Sequence, residues 1–450
     1  MCDWRMLLVV LLAIGPATAG DDIDEAALFS DTNTVIDSAK IVNTLKGDTA
    51  NFPKKTVGFS GQVVSAGVAA ATREFFSDPQ SDRIGFAGSM VGNLMLDIRL
   101  ISGVKAFANL EAGYAASLSQ MQVNLREIFV DANIAHRVYL RTGKQVLQWG
   151  PCNFWNPTDL INVEKKLFIQ KIGYREGAYG LKLHVPFGTL ANVYGFLDAK
   201  DVSSIDSLAG AAKVEFLLGG TEFAFSGWGK QDREPVFGFD VTTGIWDFNV
   251  AGELSLSYGN NASSLHEENG VLGLHREDDK LITHACLGLT RWFDLLNMSD
   301  RLMVIGELYY NSAGYSKNAF ADPDTAYRYS EPLNAISATG MPTVKTSGTK
   351  TDFLVGHGLY ERNSYSHYYL ALFTSISRFI NTSMTLNLNA IGNLEQQCAM
   401  LSAGLTYTSL SDFSLGVTVA GNVGKKNTEY TFKSPENPAL MLQLTAGMAF

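Results

Sequence analysis

The sequence predicts an all-β protein, an antiparallel transmembrane β-barrel of about 18 strands with a short N-terminal helical segment. Three observations support this class: apolar and polar residues alternate along many segments, the segments are long, and aromatic residues recur near their ends. Hydrophobic residues make up 46% of the chain and charged residues only 18%. That composition alone fits a large exported soluble domain as well as a membrane barrel, so the patterns must decide.

Residues 1–19 are predicted to be a secretory signal peptide. An apolar run at 6–14 is followed by Ala17-Thr18-Ala19, which fits the small-x-small cleavage rule, so the mature chain is expected to start at Gly20. A membrane anchor is the alternative, but the run is well short of the roughly 20 residues of a spanning helix. Residues 20–55 are acidic with apolar residues at helical spacing, which predicts a short helix at the periplasmic entrance or a plug in the lumen.

Period-two alternation begins after residue 55 and predicts that 56–450 form the barrel. In "LMLDIRL" (94–100) apolar residues alternate with Met95, Asp97 and Arg99, and "MTLNLNA" (384–390) behaves in the same way. Strict alternation indicates strands, because successive side chains point to opposite faces of a sheet. Segments of about 10 to 13 residues exceed the usual strand length of about 5 to 6 and suit a tilted membrane strand.

Aromatic pairs near the predicted strand ends indicate the interfacial girdles of a membrane barrel. The pairs are Trp246 with Tyr258, Trp292 with Phe293, Tyr309 with Tyr310, and Tyr368 with Tyr369. The last predicted strand, "ALMLQLTAGMAF", alternates up to Phe450. It resembles the carboxy-terminal signature of bacterial outer-membrane barrels, which implies recognition of Phe450 by the barrel-assembly machinery.

Eighteen candidate strands can be counted, an even number, as single-chain bacterial barrels require; sixteen is the alternative if one hairpin is wrong. With both barrel ends in the periplasm, the odd-numbered connections should be the outer loops. Most of these are long, at 71–89, 147–176, 199–210, 260–280, 312–363 and 422–437. The predicted strands are 57–70, 90–101, 104–115, 120–134, 137–146, 177–186, 190–198, 211–218, 222–229, 236–242, 246–259, 281–292, 301–311, 364–375, 383–393, 398–408, 413–421 and 438–450.

The third outer loop is the candidate constriction. Pro151 and Pro157 end sheet pairing because proline has no backbone donor, and the loop is too rich in aromatic residues for a water-exposed tip. It is expected to fold into the lumen and narrow the channel, or else to pack over the barrel rim. Its candidate constriction residues are Trp149, Phe154, Trp155, Asn156 and Asp159.

The same region carries a family resemblance. Gly143, Lys144 and Gln145 precede Trp149-Gly150, and Asn156, Pro157 and Asp159 follow. Over about 40 residues this pattern resembles porin-like outer-membrane proteins, including alginate-export-type barrels. The resemblance implies a passive or selective channel and does not identify the solute.

Charged residues collect on the predicted lumen-facing phase, since an Arg or Lys facing lipid near the midplane would cost about 2–4 kcal/mol. They are expected to pair across neighbouring strands or to set up a transverse field that orients a solute. The candidates are Lys105, Arg137 and Arg141 for its basic side and Glu111, Glu127 and Asp131 for its acidic side. The candidate pore-lining residues are Asp97, Arg99, Lys105, Glu111, Glu127, Asp131, Arg137, Arg141 and Gln145, and the same phase carries Lys182, Lys213, Glu215, Glu253 and Glu307.

No cofactor, metal site or enzymatic activity is predicted. The sequence lacks GxSxG, HExxH and a phosphate-binding glycine loop. Cys152, Cys286 and Cys398 remain after cleavage of the signal, an odd number without a CxxC pair. The net charge of −10 argues against nucleic acid as a partner.

The predicted function is an outer-membrane porin-like channel for passive diffusion of small hydrophilic solutes. Its expected partners are outer-membrane lipid and those solutes, and the sequence leaves open whether it forms a homo-oligomer. A selective transporter of a polymer or amphipathic solute is one alternative. A surface adhesin or antigen that displays the 312–363 loop on a barrel scaffold is another.

Overall fold

Alternating strands form a closed antiparallel sheet in the computed structural model, which describes residues 56–72, 84–100, 104–115, 120–135, 137–162, 177–199, 207–336, 342–408, 412–434 and 437–450. The predicted signal peptide and the acidic segment 20–55 lie outside these residues. The barrel strands are β1 Thr56–Ala71, β2 Ile84–Arg99, β3 Lys105–Ala115, β4 Gln120–Ile134, β5 Val138–Gln145, β6 Ala178–Phe187, β7 Ala191–Asp198, β8 Ala209–Leu218, β9 Thr221–Lys230, β10 Val236–Ile245, β11 Phe248–Tyr258, β14 Leu281–Leu295, β15 Met298–Asn311, β18 Tyr368–Ile376, β19 Met384–Asn393, β20 Cys398–Thr408, β21 Phe413–Gly424 and β22 Leu440–Ala449.

The first and last strands close the sheet. β1 pairs with β2 on one side and with β22 on the other, where Gln62 lies opposite Ala449. Phe450 extends this contact, because its backbone N–H and carbonyl each bond to Gly61 at 2.9 Å. Within the described residues the barrel therefore has 18 strands, which confirms the predicted count and does not support the alternative of sixteen.

The outer surface of the barrel is an apolar belt. On β11 the side chains of Glu253, Ser255 and Ser257 are buried inside, while Leu254 and Leu256 point outward. The same alternation leaves Leu287 and Leu289 of β14 exposed on the outside. Closure removes sheet edges, and an apolar exterior with a polar interior suits lipid outside and water inside. The chain has the architecture of an outer-membrane β-barrel.

Among the described residues, no helix is long and apolar enough to cross a membrane.

The side to which each strand residue points corrects the prediction for two tyrosines. Tyr309 and Tyr369 were assigned to the interfacial girdle, but both are buried inside the barrel. Adjacent strand residues face opposite sides, so only their neighbours Tyr310 and Tyr368 point outward, with ring centroids 5.1 Å apart. Trp246 is 93% exposed at the turn between β10 and β11, as an interfacial residue should be.

The prediction of 260–280 and 312–363 as loops is partly wrong. These two segments contain the strands of a second sheet. It consists of β12 Ser264–Glu268, β13 Val271–His275, β16 Tyr327–Ile336 and β17 Pro342–Gly348. Its core is formed by Leu272, Tyr329, Leu333 and Phe353. The short helix α1, Lys350–Gly356, begins with a capping box in which Thr349 and Asp352 bond to each other's backbone N–H.

Substitution of an outward side chain tests the lipid assignment. Leu287→Arg should lower the free energy of unfolding by about 2–4 kcal/mol, because it places a cation in the hydrocarbon region near mid-strand. Asn387→Arg on β19, whose neighbours Leu386 and Leu388 point outward, is the matched inward control and should change stability much less. Urea unfolding in lipid vesicles, followed by tryptophan fluorescence, measures both. Equal losses would contradict the assignment of faces.

Candidate functional site

The connection that follows β5 enters the barrel, and its described part, residues 146–162, is called the inner loop. Trp155 stacks on Tyr309 of β15, with ring centroids 5.2 Å apart and planes 4° from parallel. Phe154 packs 5.5 Å from Phe373, an inward-facing residue of β18. The loop thus crosses from β5 to the wall around β15 and β18, instead of resting on the rim.

Glu307 holds the middle of the inner loop. Its carboxylate accepts three consecutive backbone N–H bonds, from Asn153 at 2.5 Å, Phe154 at 2.9 Å and Trp155 at 3.1 Å. The side chain lies on the inward face of β15, and the residue is only 1% exposed. A buried carboxylate is costly unless it is hydrogen-bonded, and so are unpaired N–H groups. Each partner therefore satisfies the other.

Glu253 of β11 holds both sides of the same segment. It accepts the backbone N–H of Cys152 at 2.7 Å and both the N–H and the hydroxyl of Thr158, at 2.9 and 2.8 Å. The Asn156 amide adds a bond at 3.2 Å and also donates to the Cys152 carbonyl. Gly150 leaves room for this arrangement, because a Cβ at that position would meet the Glu253 carboxylate and displace it.

Lys213 of β8 fixes the start of the inner loop. Its ammonium donates to the Trp149 carbonyl at 2.5 Å and pairs with Glu215 at 3.0 Å and Asp240 at 3.5 Å. Around it, apolar side chains of the loop pack on inward-facing aromatic residues of the wall. This cluster comprises Leu147, Trp149, Leu160, Ile161, Ala178, Tyr194, Phe196, Ala209, Ala211, Trp228 and Val236.

The connection between β21 and β22, called the second outer connection, also enters the barrel. Its Tyr430 belongs to the same buried cluster as Phe154 and Trp155 of the inner loop. Glu429 accepts bonds from the Asn363 N–H at 2.8 Å, the Tyr369 hydroxyl at 2.7 Å and the Asn393 amide at 2.7 Å. Burial raises the pKa of Glu429 above its ordinary value, and these bonds oppose that rise. The Trp155 indole donates to the Asn363 carbonyl at 2.9 Å. Asn363 lies in the connection between β15 and β18, so it links Glu429 to the inner loop.

The inward face of β2 to β5 is different, because its charges remain in contact with water. Arg141 makes two bonds to Asp131, at 2.6 and 3.0 Å, and both side chains are about a quarter exposed, at 25% and 27%. Asp97 lies 3.2 Å from Arg99 and 3.5 Å from Lys105. These five residues, together with Glu111 and Arg126, which are 3.9 Å apart, are called the charged wall.

The structure places the other predicted pore-lining residues in three different settings. Glu127 accepts the backbone N–H of Val146 at 3.0 Å, so it supports the first residue of the inner loop. Gln145 is fully buried and donates to the carbonyls of Arg141 and Gly180. Arg137 is exposed at the turn before β5.

The predicted constriction residues are brought together on the inner loop. Trp149, Phe154, Trp155 and Asp159 are all buried, and Asn156 is half-buried. The sequence had placed Lys213, Glu253 and Glu307 on the inward phase, but it did not show that they hold this loop. It missed Arg126 and Glu429 altogether, since no alternation pattern marks a residue at a strand bulge or in a connection.

No family model and no curated protein matches the chain. Solved structures do: OccAB3 of Acinetobacter baumannii has a TM-score of 0.49 at 9% identity, over 88% of this chain and 99% of that one. OccK2 (OpdF) of Pseudomonas aeruginosa, solved in complex with glucuronate, also has a TM-score of 0.49 at 9% identity, over 88% and 98%. OprD of the same organism has a TM-score of 0.47 at 9% identity, over 87% and 95%.

Neutralising one anchor tests whether the carboxylates keep the inner loop in place. Glu307→Gln presents an amide N–H₂ to donors that need an acceptor, so the free energy of unfolding should fall by about 1–3 kcal/mol. The inner loop should also become a site of rapid limited proteolysis. Urea titration and peptide mapping in detergent check both. Glu268→Gln, at an exposed position of β12, is the control, and an equally protease-resistant loop in both variants would contradict the anchoring role.

Proposed function

We propose that this protein is a water-filled channel of the outer membrane through which small hydrophilic solutes diffuse, narrowed by the inner loop. The observation that carries the proposal is the pinning of a loop inside an 18-stranded barrel by Glu253 and Glu307. Barrels of 16 to 18 strands are wide enough for an aqueous lumen. A loop held across such a lumen sets the size of what passes.

The inner loop leaves only part of the wall available to solutes. It packs on inward side chains from β7 to β11 and on those of β14, β15 and β18, including Tyr194, Trp228 and Phe373. The charged wall on β2 to β5 carries partly exposed ion pairs. On β19 and β20 the inward residues are uncharged, with the Asn389 amide 3.2 Å from the Ser402 hydroxyl.

A path between the charged wall and the inner loop would expose solutes to an asymmetric field. Arg99, Lys105 and Asp97 lie near one end of β2 and β3, while Glu111 and Arg126 lie further along the strands. Partly exposed charges interact with ions and polar solutes more effectively than the buried anchors, which are already saturated with hydrogen bonds. The charged wall therefore binds permeating solutes, and the inner loop excludes solutes that are too large.

Shortening the inner loop tests the size-exclusion role. Deletion of residues 150–158 should raise single-channel conductance in planar bilayers, because it removes the segment held across the lumen. Deletion of 322–325, an exposed stretch of the outer connection, is the control and should leave conductance unchanged. Equal conductance in both deletions would contradict the role of the inner loop. Purified wild-type protein that forms a heat-modifiable barrel without any stepwise current would overturn the channel itself.

Reversing charge on the charged wall tests its contact with permeating ions. Lys105→Glu should shift the reversal potential in a potassium chloride gradient towards cation selectivity, because a partly exposed cation becomes an anion. Lys345→Glu on β17 of the outer sheet, where the residue is exposed, is the control and should shift it much less. The same reversal potential in the wild type and in both variants would show that ions pass elsewhere.

A further inference from the structure

Two thiols lie together where the inner loop meets the wall. Cys152 of the inner loop and Cys286 of β14 lie close enough for their thiols to interact. Both are buried within one cluster that also contains Phe154 and Trp155. Each is a free thiol in the structure.

The surroundings fix both partners of this pair. The Cys152 backbone N–H bonds to Glu253, which lies directly opposite Cys286 in the strand register of β11 and β14. The Cys286 sulfur lies 3.7 Å from the second anchoring carboxylate, Glu307. Cys152 Sγ also lies 3.5 Å from the place where a Cβ on Gly288 would be, so the thiol packs directly against the strand that carries Cys286.

We propose that Cys152 and Cys286 form a disulfide in the assembled protein, which ties the inner loop covalently to β14. Outer-membrane barrels pass through the bacterial periplasm, a compartment in which disulfides form and persist. The bond forms by thiol–disulfide exchange. Cys152 and Cys286 together give up two protons and two electrons, and a disulfide of the periplasmic thiol oxidase class accepts them and becomes a dithiol.

The exchange belongs to assembly, before the inner loop docks. While both thiols are reduced and the loop is docked, the interaction with the Cys286 thiol raises the pKa of the Cys152 thiol well above its ordinary value. Burial and the nearby Glu253 carboxylate raise it further. The attacking species in disulfide exchange is the thiolate, so the buried pair reacts slowly with an external oxidant. For the same reason the finished bond is shielded from reductants by the packed loop.

Cys398 supplies an internal control. It is buried on β20 in the same cluster, but its thiol interacts with Thr428 and Tyr430 of the second outer connection. A disulfide between Cys152 and Cys286 accounts for two of the three thiols that follow the predicted signal peptide and leaves Cys398 reduced. Of the three disulfides that these cysteines could form, only Cys152–Cys286 is expected.

The direct test is peptide mapping of the full-length protein, purified from bacterial envelopes in the presence of a thiol-blocking reagent. We expect one disulfide-linked peptide pair containing Cys152 and Cys286, and alkylated Cys398. The linked pair should vanish in Cys152→Ser and Cys286→Ser and persist in Cys398→Ser. Alkylation of all three thiols after denaturation without reductant, or a linkage that involves Cys398, would overturn the proposal.

A second measurement tests whether the two cysteines act as a unit in stabilising the protein. Cys152→Ser and Cys286→Ser should lower the urea midpoint by similar amounts, and the double variant should lower it no further, because both substitutions remove the same bond. Additive shifts would count against the disulfide. Single-channel conductance of the same variants is recorded in parallel. A missing disulfide with normal conductance would overturn this inference alone, and absent wild-type conductance would overturn the channel.

Discussion

A loop that is buried against the inner wall of a barrel can stay there only if its backbone donors, which are withdrawn from water, find acceptors in the protein. The inner loop meets this requirement with two carboxylates, Glu253 and Glu307, which together accept the backbone N–H groups of residues 152 to 155 and of Thr158. Pro151 and Pro157 bring no donors of their own. Nearly every donor along this stretch is therefore satisfied by two strand residues, and the position of the loop follows from that arrangement.

The same arrangement divides the interior into two kinds of charged surface. Glu253, Glu307 and Lys213 are buried, and their hydrogen-bonding capacity is used by the protein itself. Asp131 and Arg141 keep about a quarter of their side-chain surface exposed, so they can still respond to ions. Partial exposure, more than charge alone, separates the charged wall from the buried groups that support the inner loop.

Much of the fold could be predicted from sequence because side-chain alternation is a local property. An alternating segment such as 384–390 shows by itself which residues share a face of the sheet. The number of strands is then the number of such segments. The outer sheet was missed because β12 and β13 have only five residues each. The ten-residue β16 contains Pro332, which argues against a strand in a sequence, and its register shifts against β17. Tyr309 and Tyr369 were misassigned because a pair of adjacent aromatic residues does not itself show which member faces inward.

The site was only partly accessible from sequence. Trp149, Trp155 and the two prolines indicated a loop that must pack against something, and the inward phase of Glu253 and Glu307 was clear. Their partnership was hidden, because it joins residues about 100 and 150 positions apart in the chain. Glu429, which joins Asn363 and Asn393, lies in a connection where no periodicity applies. Contacts of this kind depend on barrel closure and become visible only in three dimensions.

Hydrogen exchange at the backbone amides of residues 152–158 tests the central claim most directly. If Glu253 and Glu307 hold these amides, they should exchange as slowly as amides of β11 and β15, although they lie outside any strand. Exchange as fast as that of the exposed stretch 322–325 would show that the inner loop is not held by these carboxylates.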